Sequence, residues 1–476
     1  MRSGRRLWAV LALAALLRVA LALLRPLQVD EGYSLQVAGL PLANIFQILR
    51  TLDVHPPLFL LTLHGWLALH GSVVVLRVAF AVLGVVSVWL LYAIVRTWHG
   101  ERAALGAALC AALMPSLLFY DVMLRMYAPF DTLALLTFFA LSRLCARDDL
   151  SLQHRRALWV LWAFATAVMW YLLYLGLIVS AAQLLFVALL RRDALPRAVA
   201  GLGACTLAFF PQVPTFRSQL PHGGLAFPFY AQHQLQALGE LAGQATIAVQ
   251  THGAAVWPVL AGVLAWCWLA LVFAMSLRER SASLVVWLGA PAMLTLVYAA
   301  IAHKLLFEDR YYLLLAYALC AWTGLALDRL AVRSREIARP IALVAAAALA
   351  LLACLYAFDP AFYTADWPAV GALIQARSQP RDLIVFEQGS PFFVLKRGNS
   401  LGRHPLLVVL RRSELDDNIA LSRRFDRVFL VLFQYGPVDP DGRFFAALRL
   451  HRQVRQAWTF ARALPAENAV VILFQR

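Results

Sequence analysis

The chain has 476 residues, of which 62% are hydrophobic and only 14% charged, with a net charge of +16. A soluble domain carries about a quarter charged residues, so a water-soluble fold is excluded, and modest Gly, Pro and Cys contents exclude collagen-like, disordered and disulfide-framed chains. With a mean hydropathy of +0.71, a polytopic membrane protein remains. The 42 Lys and Arg, against 26 Asp and Glu, lie mainly between apolar runs. That placement suits anionic headgroups and the positive-inside rule, not nucleic acid. The six cysteines (Cys110, Cys145, Cys205, Cys267, Cys320 and Cys354) fall within or beside apolar segments and read as small hydrophobes, with no zinc motif or disulfide frame.

A spanning helix needs about 20 apolar residues. Leu7 to Leu24 follows a basic N-terminus and reads as a retained first helix, because it runs long for a signal peptide and contains Arg18. Further apolar runs cover approximately 73–95, 103–120, 127–145, 157–171, 173–191, 197–214, 255–277, 283–302, 311–330 and 337–357, which predicts eleven spans. The stretch 58–70 is too short to cross and follows Pro56-Pro57. If it lies along the interface, the loops holding Arg96/Arg102, Arg143/Arg147/Arg155/Arg156, Arg191/Arg192/Arg197, Arg278/Arg280 and Arg329/Arg333/Arg335/Arg339 all share the side of the N-terminus. Positive-inside makes that side cytoplasmic.

The opposite face then carries loop 25–57, the link near 121–127, loop 215–254, the link 303–310 and the tail from Phe358. In the tail, 381–387, 406–410, 428–433 and 469–474 read as buried strands, and 366–377 and 442–457 as helices. The expected fold class is a polytopic all-α membrane protein of about 11 transmembrane helices over 1–357, with a small C-terminal soluble α/β domain over 358–476.

Three elements on the outer face can carry chemistry. Asp30-Glu31 directly follows the first span, in a loop that closes on Asp53-Val54-His55-Pro56-Pro57-Leu58. A carboxylate there can take a proton from an acceptor hydroxyl, and a solvated loop end is the plain alternative. Arg125-Met126-Tyr127 follows the third span, where arginine is either a snorkelling anchor or a phosphate fork. His303-Lys304 and Arg310-Tyr311 precede the tenth span, on a face that positive-inside should leave poor in cations. Either an anionic ligand or local pairing with Glu308 and Asp309 accounts for them. No nucleotide-binding glycine loop is present.

The order of Asp30-Glu31, His55-Pro56-Pro57-Leu58, Leu76-Arg77, Arg125-Met126-Tyr127 and Arg310-Tyr311 resembles the GT-C fold membrane glycosyltransferases. More narrowly, it is similar to the protein O-mannosyltransferases and their bacterial relatives, including the lipid A aminoarabinose transferases. The resemblance covers roughly residues 1–360 and is strongest over 25–130. It implies inverting transfer of a sugar from a polyprenyl-phosphate donor to a lipid, glycan or protein acceptor. Asp30 is then the catalytic carboxylate with Glu31 beside it, and His55, Arg125, Tyr127, Lys304, Arg310 and Tyr311 bind substrate. No cofactor is implied with certainty; a divalent metal stays open, although His222, His233 and His252 have no ligand spacing.

The chain departs from many relatives at Trp170-Tyr171-Leu172-Leu173-Tyr174, where they carry a Tyr-Thr-His-Tyr-like run, and it lacks the large lumenal insert of the eukaryotic O-mannosyltransferases. Arg-heavy, Lys-poor usage and the missing insert point to a bacterial inner membrane, with the N-terminus cytoplasmic and the tail periplasmic. The alternative reading is a transporter or flippase for an anionic lipid-linked substrate, against which stand the absent repeat and the expected position of Arg18 and Arg77 near span ends.

Overall fold

Long unbroken apolar runs can satisfy their backbone inside a bilayer only as helices, and helices make up most of the described residues before 358 in the computed structural model. It describes residues 2–51, 53–146, 150–220, 241, 267, 283–301, 309–358, 367–386, 389–397, 401–409, 415–433, 442–460 and 469–475. Contacts divide the chain into two units. The first takes the described parts of Met1–Leu24, Leu40–Val249 and Ala255–Ala357; the second includes Arg25–Gly39 and Phe358–Arg476.

In the first unit, α1 (Arg2–Leu24) is followed by α3 (Leu42–Thr51), α4 (Leu58–Ala68), α5 (Val73–His99), α6 (Glu101–Leu113), α7 (Pro115–Val122), α8 (Tyr127–Ala146), α9 (Leu152–Leu172), α10 (Leu175–Leu190), α11 (Leu195–Phe209), α12 (Val213–Gln219), α13 (Ser283–Ile301), α14 (Leu313–Arg333) and α15 (Arg335–Phe358); α2 (Val29–Ala38) belongs to the second. Among the described residues, five helices are long and apolar enough to cross a membrane, and a sixth span is added if α6 and α7 count as one. The expected span 255–277 lies outside the described residues apart from Cys267.

The sequence predicts one helix over 103–120, but α6 and α7 meet at 61°. Pro115 is the cause: the residue before a proline is pushed out of the helical region, and Met114 is extended at φ −65°, ψ 118°. Residues 25–57, expected as a loop, instead hold α2 and α3. Arg18 is also not at a span end. It is fully buried, its Nε donating to Asp121 at 2.8 Å and its two terminal nitrogens to the carbonyls of Ala112 and Ala111.

The second unit is built on a five-stranded sheet of order β2-β1-β3-β5-β4: β1 (Leu383–Phe386), β2 (Leu406–Val408), β3 (Arg427–Phe433), β4 (Gln453–Phe460) and β5 (Ala469–Gln475). The first three neighbours are parallel, and β5 runs antiparallel to both β3 and β4. Side chains alternate across a strand, so the apolar runs feed two cores. Ile384, Phe386, Phe429 and Val431 pack on one face with Trp367 and Val394; Leu383, Val385, Val428 and Leu430 pack on the other with Phe444 and Leu448.

One tail expectation needs correcting. The helix foreseen over 442–457 stops at His451, and Gln453–Phe460 is an edge strand on β5. A register shift between Val454 and Gln456 breaks the alternation that marks a strand.

Candidate active site

Each unit holds part of the expected site. In the second, Asp30 and Glu31 occupy the first turn of α2. Their carboxylates do different work. Glu31 is fully buried and its Oε2 accepts from the backbone N–H of Gln28 at 2.7 Å, closing the start of the helix. Asp30 is half-buried, and its backbone carbonyl accepts from Ser34 Oγ at 2.9 Å. The helix is held close to residues 389–397: a Cβ on Gly32 would lie 2.6 Å from Val394 Cγ2, so this face of α2 admits no side chain there.

In the first unit, the turn between α3 and α4 is organised by Asp53, which the sequence reading passed over. Its Oδ1 accepts from the N–H of Val54 at 2.7 Å and of His55 at 2.9 Å, and lies 2.6 Å from His55 Nδ1. Burial alone would raise the Asp53 pKa. The charge and hydrogen bonds of His55, with the charge of Arg125, outweigh it and hold the carboxyl well below the usual carboxylate range. The signal for this pair was an Asx turn, Asp-x-His, ahead of Pro-Pro.

The carbonyl of His55 is held in turn. Gln219 Nε2, at the end of α12, donates to it at 3.1 Å and also to the carbonyl of Leu49. Gln219 Oε1 accepts from the Tyr174 hydroxyl, which accepts from Gln212 Nε2 at 3.0 Å. Tyr174, Gln212 and Gln219 were not singled out as site residues. Tyr174 lies 38 and 45 residues before Gln212 and Gln219, and only the packing of α9 to α12 brings it to them.

Arg125 and Tyr127 sit where the chain turns from α7 into α8. Arg125 N–H donates to the Met123 carbonyl at 2.7 Å, and both side chains are buried, at 6% and 1% exposure. The Tyr127 ring stands edge-on to Tyr120, 5.2 Å between centroids, and Arg77 Nε caps the Val122 carbonyl at 3.2 Å. Arg310 and Tyr311 form a short 3-10 turn before α14, the guanidinium 5.8 Å from its neighbour's ring centroid. Lys304 lies outside the described residues, as do His222, His233, His252 and Glu308. No cluster of metal-ligating side chains occurs among the described residues.

A cavity of about 270 Å³ joins two of the expected residues, His55 and Tyr311. Leu173, Leu175, Leu177, Ile178 and Phe216 make its wall apolar; Tyr174, Thr295 and Tyr298 supply hydroxyls. Thr295 Oγ1 is spent on the Pro291 carbonyl of its own helix, at 2.8 Å. The result is a mainly apolar slot with His55 and a few hydroxyls in its lining, which suits a lipid that carries a polar head.

Residues 54–216, which include His55, Arg125, Tyr127 and Tyr174, match the model of the family described as dolichyl-phosphate-mannose-protein mannosyltransferase. The fold is similar to that of ArnT from Cupriavidus metallidurans, both bound to undecaprenyl phosphate (16% identity, TM-score 0.55, covering 98% of this chain and 97% of that one) and in the apo state (16%, 0.56, 99% and 98%). It is also similar to the archaeal oligosaccharyltransferase AglB from Archaeoglobus fulgidus, in complex with an inhibitory peptide and a dolichol-phosphate (13%, 0.55, 93% and 70%). Comparison with curated proteins found no match. The chain therefore has the GT-C membrane glycosyltransferase fold, and it resembles the O-mannosyltransferases and ArnT.

Proposed function

We propose that the protein is a glycosyltransferase that moves a sugar from a polyprenyl-phosphate donor to an acceptor hydroxyl or phosphate at the extracytoplasmic face of the inner membrane. The observation that carries this reading is the mainly apolar cavity lined by His55, Tyr174 and Tyr311, within a chain whose 54–216 segment matches a family of lipid-linked mannose transferases. ArnT and AglB, which share the fold, were solved with undecaprenyl phosphate and dolichol-phosphate.

Asp30 is the carboxylate assigned to the acceptor, as the resemblance implies, while Glu31 beside it closes the start of α2 through the Gln28 N–H. For a hydroxyl acceptor, the oxygen bonds to the anomeric carbon as its proton passes to Asp30. The bond from that carbon to the phosphate oxygen breaks, and the electron pair leaves with polyprenyl phosphate. Charge grows on the phosphate as the sugar becomes oxocarbenium-like, so cations near it do most of the electrostatic work. Arg125, Lys304 and Arg310 are assigned to that phosphate, with His55, Tyr127 and Tyr311 lining the donor.

The test is transfer by the purified full chain in lipid, with polyprenyl-phosphate sugars as donors. Asp30→Asn is expected to lower turnover by about 10²- to 10⁴-fold, the usual loss of a general base, with donor binding retained. Parent-level transfer by this variant would remove the assignment. Donor crossing sealed vesicles with no glycosidic product would replace the whole reading with a transporter.

A further inference from the structure

The helical unit has a second cavity that the transfer reading does not use. It measures about 650 Å³ and lies where the end of α8, the start of α9, the end of α10 and the start of α11 meet. Helix α9 has 21 residues and so is about 30 Å long, which puts this cavity at the end of the unit remote from Tyr174 and His55. The positive-inside count makes that end cytoplasmic.

Among the described residues, four guanidinium groups line it, those of Arg155, Arg156, Arg191 and Arg197, together with the carboxylate of Asp193. Arg191 holds Asp193 at 3.2 Å and donates to the Cys145 carbonyl at 3.4 Å, which fixes one wall. Trp162 closes the floor: it is fully buried, its Nε1 donates to Gln183 at 2.9 Å, and Gly201 leaves room for its ring, since a Cβ there would come within 2.8 Å. Trp159 stands edge-on to Trp162 at 5.6 Å. The first turns of α9 and α11 both border the space, so two helix N-termini add positive potential.

Leu152 and Val160 also line the cavity, and with Phe164 they are 66–68% exposed along one face of α9. The cationic pocket is thus continuous with an apolar surface of the kind that acyl chains cover. A free phosphate has no use for that surface; a phospholipid uses both.

We propose that this pocket binds the phosphate headgroup of an anionic phospholipid, with its acyl chains along Leu152, Val160 and Phe164. Planar guanidinium forks suit phosphate oxygens, and tryptophan suits the headgroup level. The site is distinct from the donor cavity, so it stands or falls separately from the transfer reaction.

The test uses the full chain in phosphatidylcholine nanodiscs with and without cardiolipin, with retained lipid read by native mass spectrometry. The triple variant Arg155→Ala/Arg156→Ala/Arg197→Ala is expected to lose cardiolipin retention at least tenfold, an estimate of about that order for several interfacial cations. The charge-matched control Arg333→Ala/Arg335→Ala/Arg339→Ala is expected to keep it. Equal loss in both triples means general surface attraction and overturns the pocket. Complete displacement of cardiolipin by soluble glycerol phosphate overturns the lipid assignment in favour of a small phosphate. If the triple variant does not fold, a photoactivatable cardiolipin on the parent chain decides: attachment within 152–162 or 191–201 supports the site, and attachment only elsewhere overturns it.

Discussion

Two acid–base pairs in the helical unit use similar chemistry at different depths. Arg18 and Asp121 meet at 2.8 Å between α1 and α7, with side chains 0% and 1% exposed. Asp53 and His55 meet at 2.6 Å in the turn before α4, with 4% and 17% exposed for the acid and the base respectively. The deep pair is saturated, since the same guanidinium also closes the Ala111 and Ala112 carbonyls where α6 ends at the Pro115 break. It holds a bent span together. The shallow pair leaves the imidazole partly exposed in the lining of a cavity. Burial thus separates a saturated brace from a pair that still lines a cavity.

The largest expected effect comes from breaking the brace. Arg18→Ala leaves Asp121 buried without its counter-charge, which costs about 3–5 kcal/mol. The measurement is thermal unfolding in detergent, with Arg18→Met/Asp121→Asn as the partner experiment. If the brace reading holds, the double variant recovers much of what the single one loses. A single variant as stable as the parent would place Arg18 among the dispensable charges.

Next is Gly84 on α5, where a Cβ would lie 2.5 Å from Asp121 Cγ. Asp121 cannot retreat without leaving Arg18, so Gly84→Ala is expected to destabilise by about 1–3 kcal/mol through overpacking. The same change in an Asp121→Ala background should cost less, because the obstructing atoms are gone. Equal costs in the two backgrounds would uncouple Gly84 from the pair.

How visible each pair was in the sequence follows from its span. Arg18 and Asp121 are 103 residues apart, and nothing local to either marks a partner. Asp53 and His55 are two residues apart, but an Asp-x-His turn looks the same whether it is solvated or packed under Gln219. The tail strands were legible because parallel neighbours bury both faces and leave continuous apolar runs such as Leu383–Phe386. Strand β4 was not, because Arg455 and Gln456 interrupt its pattern at the bulge. The break at Pro115 is written in the sequence as a proline inside an apolar run, but hydropathy is continuous across it.

The shallow pair gives a smaller effect with a defined pH dependence. The folded-state pKa of Asp53 is lowered, so its contribution is complete above the unfolded aspartate value of about 3.9 and disappears as pH falls from there through the folded value. Asp53→Asn is expected to cost about 1–2 kcal/mol at neutral pH, less than a fully buried charged hydrogen bond because His55 is partly solvated. The gap between parent and variant should narrow as acid is added below pH about 4. Unfolding midpoints across that range check it, and a gap that widens in acid contradicts the assigned direction.

The smallest effect is expected one step further out. Tyr174→Phe removes a hydroxyl that joins Gln212 to Gln219, for about 1 kcal/mol. The ring stays, and with it the contacts to Phe216 at 4.7 Å and Phe209 at 6.2 Å. Gln219 keeps its bonds to the Leu49 and His55 carbonyls, so the turn should hold and only its tether loosen. Gln219→Leu removes those bonds as well and strands two carbonyls, so it should cost more than Tyr174→Phe in the same unfolding assay. If the order is reversed, the phenol stabilises the fold through more than its tether to Gln219.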